Sequence, residues 1–298
     1  MKTMLVLSMG ALLLAGTLSA QTPVPEWQAG VDKVKTLIQS NPAQASEEAG
    51  ELLKGKNKKN VDLVTSVAHV YLDAGKITEA QEYLAMAKKA NNKDPKVSVL
   101  EGDIALAQKN IGQACQLYEQ AIYFDPNCKE AYLKYAQAYK SASPTQAIEK
   151  LEQLKAVDPN CLEADRELAE VYYSGNRFGK AAEMYAKFID TPLATEDDML
   201  KYAFALFLNH DFEKSLQVAQ KGLQKNARHA AFNRLVMYNN TDLKRYEDAE
   251  KAADAFFNAS DRADYSYLDY RYYGALLSAL KKYDKAIIEY GKALDKDN

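Results

Sequence analysis

The sequence predicts an all-α fold, a solenoid of antiparallel helix pairs, and three observations carry that expectation. The tetrapeptide Asp125-Pro126-Asn127-Cys128 returns letter for letter as Asp158-Pro159-Asn160-Cys161, an offset of 33 residues that is close to the period of a stacked two-helix repeat. Residues on both sides of the tetrapeptide keep step with that offset. No segment alternates apolar and polar residues as a half-buried strand would, and glycine is scarce, 13 in 298 residues.

The first twenty residues differ from the rest. Met1-Lys2 precedes an apolar run from Met4 to Ala15, and the small residues Ser19-Ala20 stand before Gln21, the layout of a secretory signal peptide over residues 1–20. The run is shorter than the roughly 20 residues that span a bilayer, and no cysteine closes it as a lipoprotein would require. Residues 21–60 follow as one helical hairpin, broken near Asn41-Pro42 and serving as an N-terminal cap to the array.

Seven units then fit residues 61–298: 61–94, 95–128, 129–161, 162–195, 196–229, 230–266 and 267–298. Gly102, Ala114, Tyr118 and Ala121 in the second unit are answered by Ala136, Tyr139, Ala147 and Leu151 in the third, with a one-residue deletion near Pro144. The fourth supplies Leu168, Ala169, Tyr172, Gly175, Phe178, Ala181, Tyr185, Phe188 and Pro192, and the last Tyr270, Tyr273, Gly274, Leu277, Tyr283, Ala286, Tyr290 and Ala293. Ser215 and Gly222 take alanine positions in the fifth, and Asn240 takes an aromatic one in the sixth. This pattern resembles the tetratricopeptide repeat, in which a small residue and an aromatic mark the first helix of each pair, an alanine and an aromatic the second, and a proline the end. The resemblance implies a right-handed α-solenoid over nearly the whole chain after the leader.

The chemistry behind such a pattern is that one hairpin has too little core to fold alone and buries its apolar edge against its neighbours. Small residues such as Gly102, Ala136, Ala169 and Gly274 let two backbones approach, and Tyr118, Tyr185 and Tyr290 fill the space between units. In Asp125-Pro126 and Asp158-Pro159 the proline cannot continue a helix and pushes its predecessor toward extended geometry, so each ends one unit and aims the next.

Composition, 47% hydrophobic and 27% charged, is that of a folded globular protein. Loss of Lys2 with the leader leaves 37 basic against 41 acidic residues, a net charge of −4, with nothing to draw the chain to nucleic acid or anionic lipid. Three cysteines are an odd number. Two of them, Cys128 and Cys161, hold the same place in adjacent units about 10 Å apart, beyond the roughly 7 Å a disulfide allows, and Cys115 reads as a small core residue. His69, His210 and His229 fall in different units, so no metal centre and no cofactor are expected. No nucleophile elbow, HExxH, phosphate loop or EF-hand loop is present. Pairs such as Glu47-Glu48 and Asp197-Asp198, and the tract Lys54-Gly55-Lys56-Asn57-Lys58-Lys59, read as solvated surface.

The resemblance implies that the concave wall is lined by the first helix of each unit at its second, fifth, ninth, twelfth and thirteenth positions. On this chain that places Arg166, Glu170 and Tyr173, then Phe204 and Phe207, then Arg234 and Tyr238, then Arg271 on the wall, aromatics beside arginines of the kind that dominate binding energy. Phe204 and Phe207 fit the wall or, if the fifth unit is out of register, the core. The fifth positions read Thr65, Val99, Leu133, Arg166, Leu200, Arg234 and Arg271, and no ninth position is asparagine, unlike the family members that clamp a peptide's C-terminal carboxylate.

Tyr265, Tyr267, Tyr270, Tyr272 and Tyr273 cluster near the end of the chain, either as sugar- or peptide-stacking rings or as packing for the connection 257–266. The repeat pattern would place a closing proline at the end of the last unit, and a bare array end exposes an apolar edge. Either a longer natural chain or a partner is expected to cover it. Together these readings imply a non-catalytic, exported scaffold, in the periplasm of a Gram-negative bacterium, that binds a protein or peptide segment in its groove. The alternatives are a glycan-binding accessory protein of the envelope and the regulatory repeats of a longer protein.

Overall fold

Sixteen α-helices, in eight consecutive hairpins, account for most of the computed structural model, which describes residues 24–259 and 264–297; the leader expected over residues 1–20 lies outside the described residues. The first hairpin joins α1 (Gln28–Ser40) to α2 (Pro42–Leu52), and a short 3-10 turn (Gly55–Lys59), holding most of the basic tract, leads into the second. There follow α3 (Val61–Asp73) with α4 (Ile77–Asn91), α5 (Pro95–Ala107) with α6 (Ile111–Phe124), α7 (Lys129–Tyr139) with α8 (Pro144–Val157), and α9 (Leu162–Ser174) with α10 (Phe178–Phe188). The last three hairpins are α11 (Glu196–Leu208) with α12 (Phe212–Lys225), α13 (Ala230–Asp242) with α14 (Tyr246–Asp254), and α15 (Tyr267–Ala279) with α16 (Tyr283–Asp297). Each hairpin packs on the next, so the odd-numbered helices form one layer and the even-numbered helices the other.

Local chemistry sets the turns. Asp125 ends α6, its carboxylate accepts the N–H of Asn127 at 2.9 Å, and its carbonyl accepts that of Cys128 at 3.0 Å. Asp158 makes the same turn with Asn160 at 3.2 Å and Cys161 at 3.1 Å. Proline in second place has no N–H to leave unpaired and a backbone angle already suited to the turn. Asn91 and Asn226 build equivalent turns without a proline.

A second turn recurs inside the hairpins. Gly75, Lys109, Asn176, His210, Lys244 and Lys281 all adopt left-handed backbone, with φ between 56° and 74°. Each closes a first helix with two reversed hydrogen bonds; at Lys109 these run from its own N–H to the Leu106 carbonyl at 2.8 Å and from the Asn110 N–H to the Ala105 carbonyl at 2.9 Å, which pairs carbonyls the helix end would otherwise leave open. The α7–α8 hairpin lacks this turn. Its second helix starts 15 residues after its first, against 16 in the six other hairpins from α3 onward, with Pro144 at the start of α8. That missing residue shortens the repeat offset to 33.

The core runs between the layers. Ala114, Ala121, Ala136, Ala147, Ala169 and Ala181 are fully buried beside Tyr118, Tyr185, Leu151 and Phe188. A β carbon on Gly102 would meet Cε1 of Tyr118 at 2.5 Å, and one on Gly222 would meet Cε2 of Phe232 at 2.4 Å; these glycines exist so that a ring can lie against the backbone. The polar residues that interrupt the pattern find partners. Ser215 Oγ donates to the Ala203 carbonyl at 2.8 Å and accepts from Asn239 Nδ2 at 2.8 Å, and Asn240 Nδ2 donates to the Val236 carbonyl at 2.9 Å.

Candidate functional site

The wall of first helices is crossed by ion pairs that tie one unit to the next. Thr195 and Asp198 form a capping box at the start of α11, which pairs orphan backbone donors at a helix end. The buried Asp198 carboxylate also receives Arg166 from α9, through Nε at 3.0 Å and Nη2 at 3.0 Å. The same arrangement recurs two units later. Ser266 and Asp269 cap α15, and Arg234 of α13 reaches Asp269 through Nε at 2.7 Å and Nη2 at 3.1 Å, with Phe256 5.1 Å from its guanidinium. Two-point arginine–carboxylate contacts of this kind are among the stronger charged hydrogen bonds. The motifs Thr-x-x-Asp and Ser-x-x-Asp ahead of α11 and α15 are the sequence signal for them.

The wall residues expected from the sequence are placed as follows. Arg166 and Arg234 are half-exposed, and their guanidinium groups pair within the chain with Asp198 and Asp269. Glu170 accepts Tyr185 Oη at 2.8 Å and Lys201 Nζ at 2.9 Å. Phe207 and Tyr238 belong to the core: both are buried, their rings are 5.6 Å apart, and Tyr238 Oη donates to Asp269 Oδ1 at 2.8 Å. The reason is the stacking of neighbouring units, which brings Tyr272 of α15 over Tyr238 at 4.0 Å. Tyr173 and Phe204 remain half-buried and Arg271 exposed. Arg271 lies near the rings of Tyr267 and Tyr272, at 6.0 and 5.9 Å.

At the other end of the wall lies a pocket of about 300 Å³ that the sequence reading passed over. Asp62, Thr65 and His69 of α3, Lys96 and Val99 of α5, and Glu130 of α7 line it with Pro25 and Trp27, the single tryptophan of the chain. These are second, fifth and ninth positions of three successive first helices. Val99 and Thr65 make a buried floor, while Lys96, Asp62 and Glu130 make an exposed rim in which Lys96 pairs with Asp62.

His69 anchors this pocket. Its Nε2 is 2.8 Å from Asp103 Oδ2 and its Nδ1 is 2.9 Å from the Thr65 carbonyl, so both ring nitrogens face acceptors and only the doubly protonated ring satisfies both. Burial works against that charge, but the hydrogen bond and negative charge of Asp103 outweigh it and raise the His69 pKa above the ordinary histidine value. Asp103 also takes Tyr118 Oη at 2.8 Å and Lys134 Nζ at 3.0 Å. Its own burial opposes ionisation, yet His69 and Lys134 hold its pKa below the usual carboxylate value. One carboxylate thus links three units.

Tyrosines near the C-terminal end are occupied with each other. Tyr265 Oη donates to the Phe257 carbonyl at 2.9 Å, Phe257 stacks on Tyr273 at 5.0 Å, and Tyr272 Oη donates to Asp242 Oδ2 at 2.8 Å. Tyr270 and Tyr273, expected in the core, are half-buried. Cys115 and Cys161 are buried and Cys128 partly so, all three as free thiols. Among the described residues no group of histidine, cysteine and carboxylate side chains is placed to hold a metal ion, and no helix is long and apolar enough to cross a membrane.

Residues 68–127 and 136–193 match a family model described as tetratricopeptide repeat. Among solved structures, the C-terminal part of a TPR repeat-containing protein from Cytophaga hutchinsonii superposes with a TM-score of 0.58 at 16% identity, covering 87% of this chain and 98% of that one. PilF of Pseudomonas aeruginosa superposes with a TM-score of 0.54 at 15% identity, covering 70% of this chain and 96% of that one. PilW, described as a widely conserved type IV pilus biogenesis factor, gives 0.53 at 17% identity, covering 67% of this chain and 92% of that one. At these identities the likeness speaks for the fold. No curated protein matches the chain in sequence. Residues 68–127 and 136–193 are thus tetratricopeptide repeats, and the recurring hairpin turns and the small-residue and aromatic positions buried between units continue the same architecture through the described residues on either side.

Proposed function

We propose that this chain is a non-catalytic scaffold of the cell envelope, exported to the periplasm of a Gram-negative bacterium, that holds an extended or helical segment of a partner protein against its wall of first helices. The observation that carries this reading is the pocket between α3, α5 and α7, with a buried floor at Val99, Trp27 at its edge and a rim of both charge signs. An apolar floor for a side chain within a rim of hydrogen-bonding groups is what peptide recognition requires. Half-buried Tyr173 and Phe204 extend the contact surface along the wall, and the leader-like sequence of residues 1–20 supports export. The aromatic cluster around Tyr265 is packed upon itself, which weighs against a sugar-stacking role there.

Photocrosslinking in the producing cell tests the proposal, with the full chain carrying benzoylphenylalanine at Ser66 inside the pocket or at Gln217 on the opposite layer. The expected result is a discrete protease-sensitive adduct from position 66 alone, lost when Trp27→Ala is added. An adduct that resists protease and stains as carbohydrate, or equal labelling from both positions, refutes the groove. Mass spectrometry of the envelope fraction should find a mature chain beginning near Gln21; an intact Met1 in the cytoplasm refutes export.

A further inference from the structure

The sixth unit departs from its neighbours at three places on one face of its first helix. Because α11, α13 and α15 start at Glu196, Ala230 and Tyr267, Val236 of α13 holds the place of Tyr202 in α11 and Tyr273 in α15. Asn233 likewise holds that of Met199 and Tyr270, and Asn240 that of Leu206 and Leu277. A ring is lost at one place, and an apolar side chain becomes an amide at the other two.

These residues line a cavity of about 500 Å³ between α12, α13 and α14. At the corresponding place one unit earlier, where Tyr202 and Met199 stand, the space measures about 260 Å³. Leu216, Val236 and Ala252 give the larger cavity buried apolar walls. Asn240, only 3% exposed, lines it as well. Its Nδ2 donates to the Val236 carbonyl at 2.9 Å, while its Oδ1 accepts from no described residue. An acceptor without a donor in so buried a residue costs free energy that a donor on a ligand recovers. At the mouth Lys251 pairs with Asp248 at 3.2 Å, and Arg245 pairs with Glu213 at 2.6 and 3.1 Å. The charges there are balanced, which favours a neutral ligand.

We propose that this cavity binds a small neutral phenol, its ring held between Leu216, Val236 and Ala252 and its hydroxyl donating to Asn240 Oδ1. The neighbouring units define the fit, because α11 and α15 carry a tyrosine ring where α13 has Val236. Burial of the ring supplies affinity, and the open acceptor selects for the hydroxyl. Apolar walls with few polar groups, in a space of this size, are what a small-molecule site requires. The cavity shares no residue with the pocket at α3, so its test is independent of the scaffold role.

The probe is p-cresol, titrated into the ¹⁵N-labelled full chain and followed by the side-chain amide resonance of Asn240, with toluene as the analogue lacking a hydroxyl. Saturable binding is expected, about tenfold tighter for p-cresol than for toluene. Val236→Tyr should abolish binding of both, and Asn240→Leu should remove the preference between them. Each variant installs the residue that α11 carries at that place, and unchanged thermal unfolding shows that the fold is intact. The wild-type comparison of the two probes decides the matter without either variant. Absence of saturable p-cresol binding, equal affinity for the two probes, or binding undiminished in a folded Val236→Tyr chain overturns the proposal. So does a methyl glucoside that shifts the Asn240 resonance where p-cresol does not, because a sugar is then the occupant.

Discussion

Arg234 grips Asp269 across two units, the guanidinium of α13 meeting a carboxylate of α15 that is shut off from solvent. Asp269 also accepts Tyr238 Oη at 2.8 Å, the Ser266 N–H at 2.7 Å and Ser266 Oγ at 2.9 Å. Every lone-pair direction of that carboxylate is used, which is the condition under which a buried charge is tolerated.

Removing the arginine leaves the carboxylate buried and uncompensated. Arg234→Ala should cost about 3 to 5 kcal/mol, measured by urea unfolding, with early hydrogen exchange in α15 and α16 because stability in such arrays passes between nearest neighbours. Arg234→Lys should recover only part, since an ammonium cannot form the two-point contact.

The His69–Asp103 link should make stability depend on pH from both sides. The raised pKa of His69 means that its contribution is complete below the unfolded value of about 6.5 and is lost as pH rises through the folded value. The lowered pKa of Asp103 means that its contribution is complete above about 3.9 and is lost as pH falls through the folded value. Thermal unfolding across pH 3 to 9 should therefore pass through a maximum, and His69→Gln should remove the decline on the alkaline side.

Two glycines in equivalent places should respond differently to a methyl group. Gly102→Ala drives a β carbon into Tyr118, which is fully buried and fixed by its bond to Asp103; a loss of about 1 to 3 kcal/mol is expected. Gly274→Ala meets Tyr290 at 2.8 Å, but that ring is partly exposed and free to swing. There the helix propensity of alanine, worth about 1 kcal/mol over glycine, should offset the contact, leaving the midpoint unchanged or raised.

Left-handed lysines invite stabilisation. Lys109, Lys244 and Lys281 bear the side-chain crowding that Gly75 avoids at the same turn, so Lys109→Gly should raise stability by roughly 1 kcal/mol and Gly75→Ala should lower it by a similar amount. Chemical denaturation of the two variants checks both signs.

The chain alone determined the repeat. An offset of 33 residues, alanines and glycines at the contact places and the Asp-Pro-Asn turns are legible because each is a local rule applied again in every unit, and burial of Ala114, Tyr118, Ala181 and Tyr185 follows from that rule. The shortened α7–α8 hairpin was legible too, as the deletion near Pro144. What tertiary structure decided is how the wall residues are paired and buried. Arg166 and Arg234 look like ligand-binding arginines in a sequence, yet their partners lie 32 and 35 residues away, and only stacking brings those carboxylates within reach. Phe207, which the sequence left open between wall and core, and Tyr238, expected on the wall, were both placed in the core by the same stacking. The pocket at Trp27 arises from three helices and the segment before α1, and its walls meet only once the units are packed: a repeat pattern specifies what each unit contributes, while a site between units depends on distances that no single unit contains.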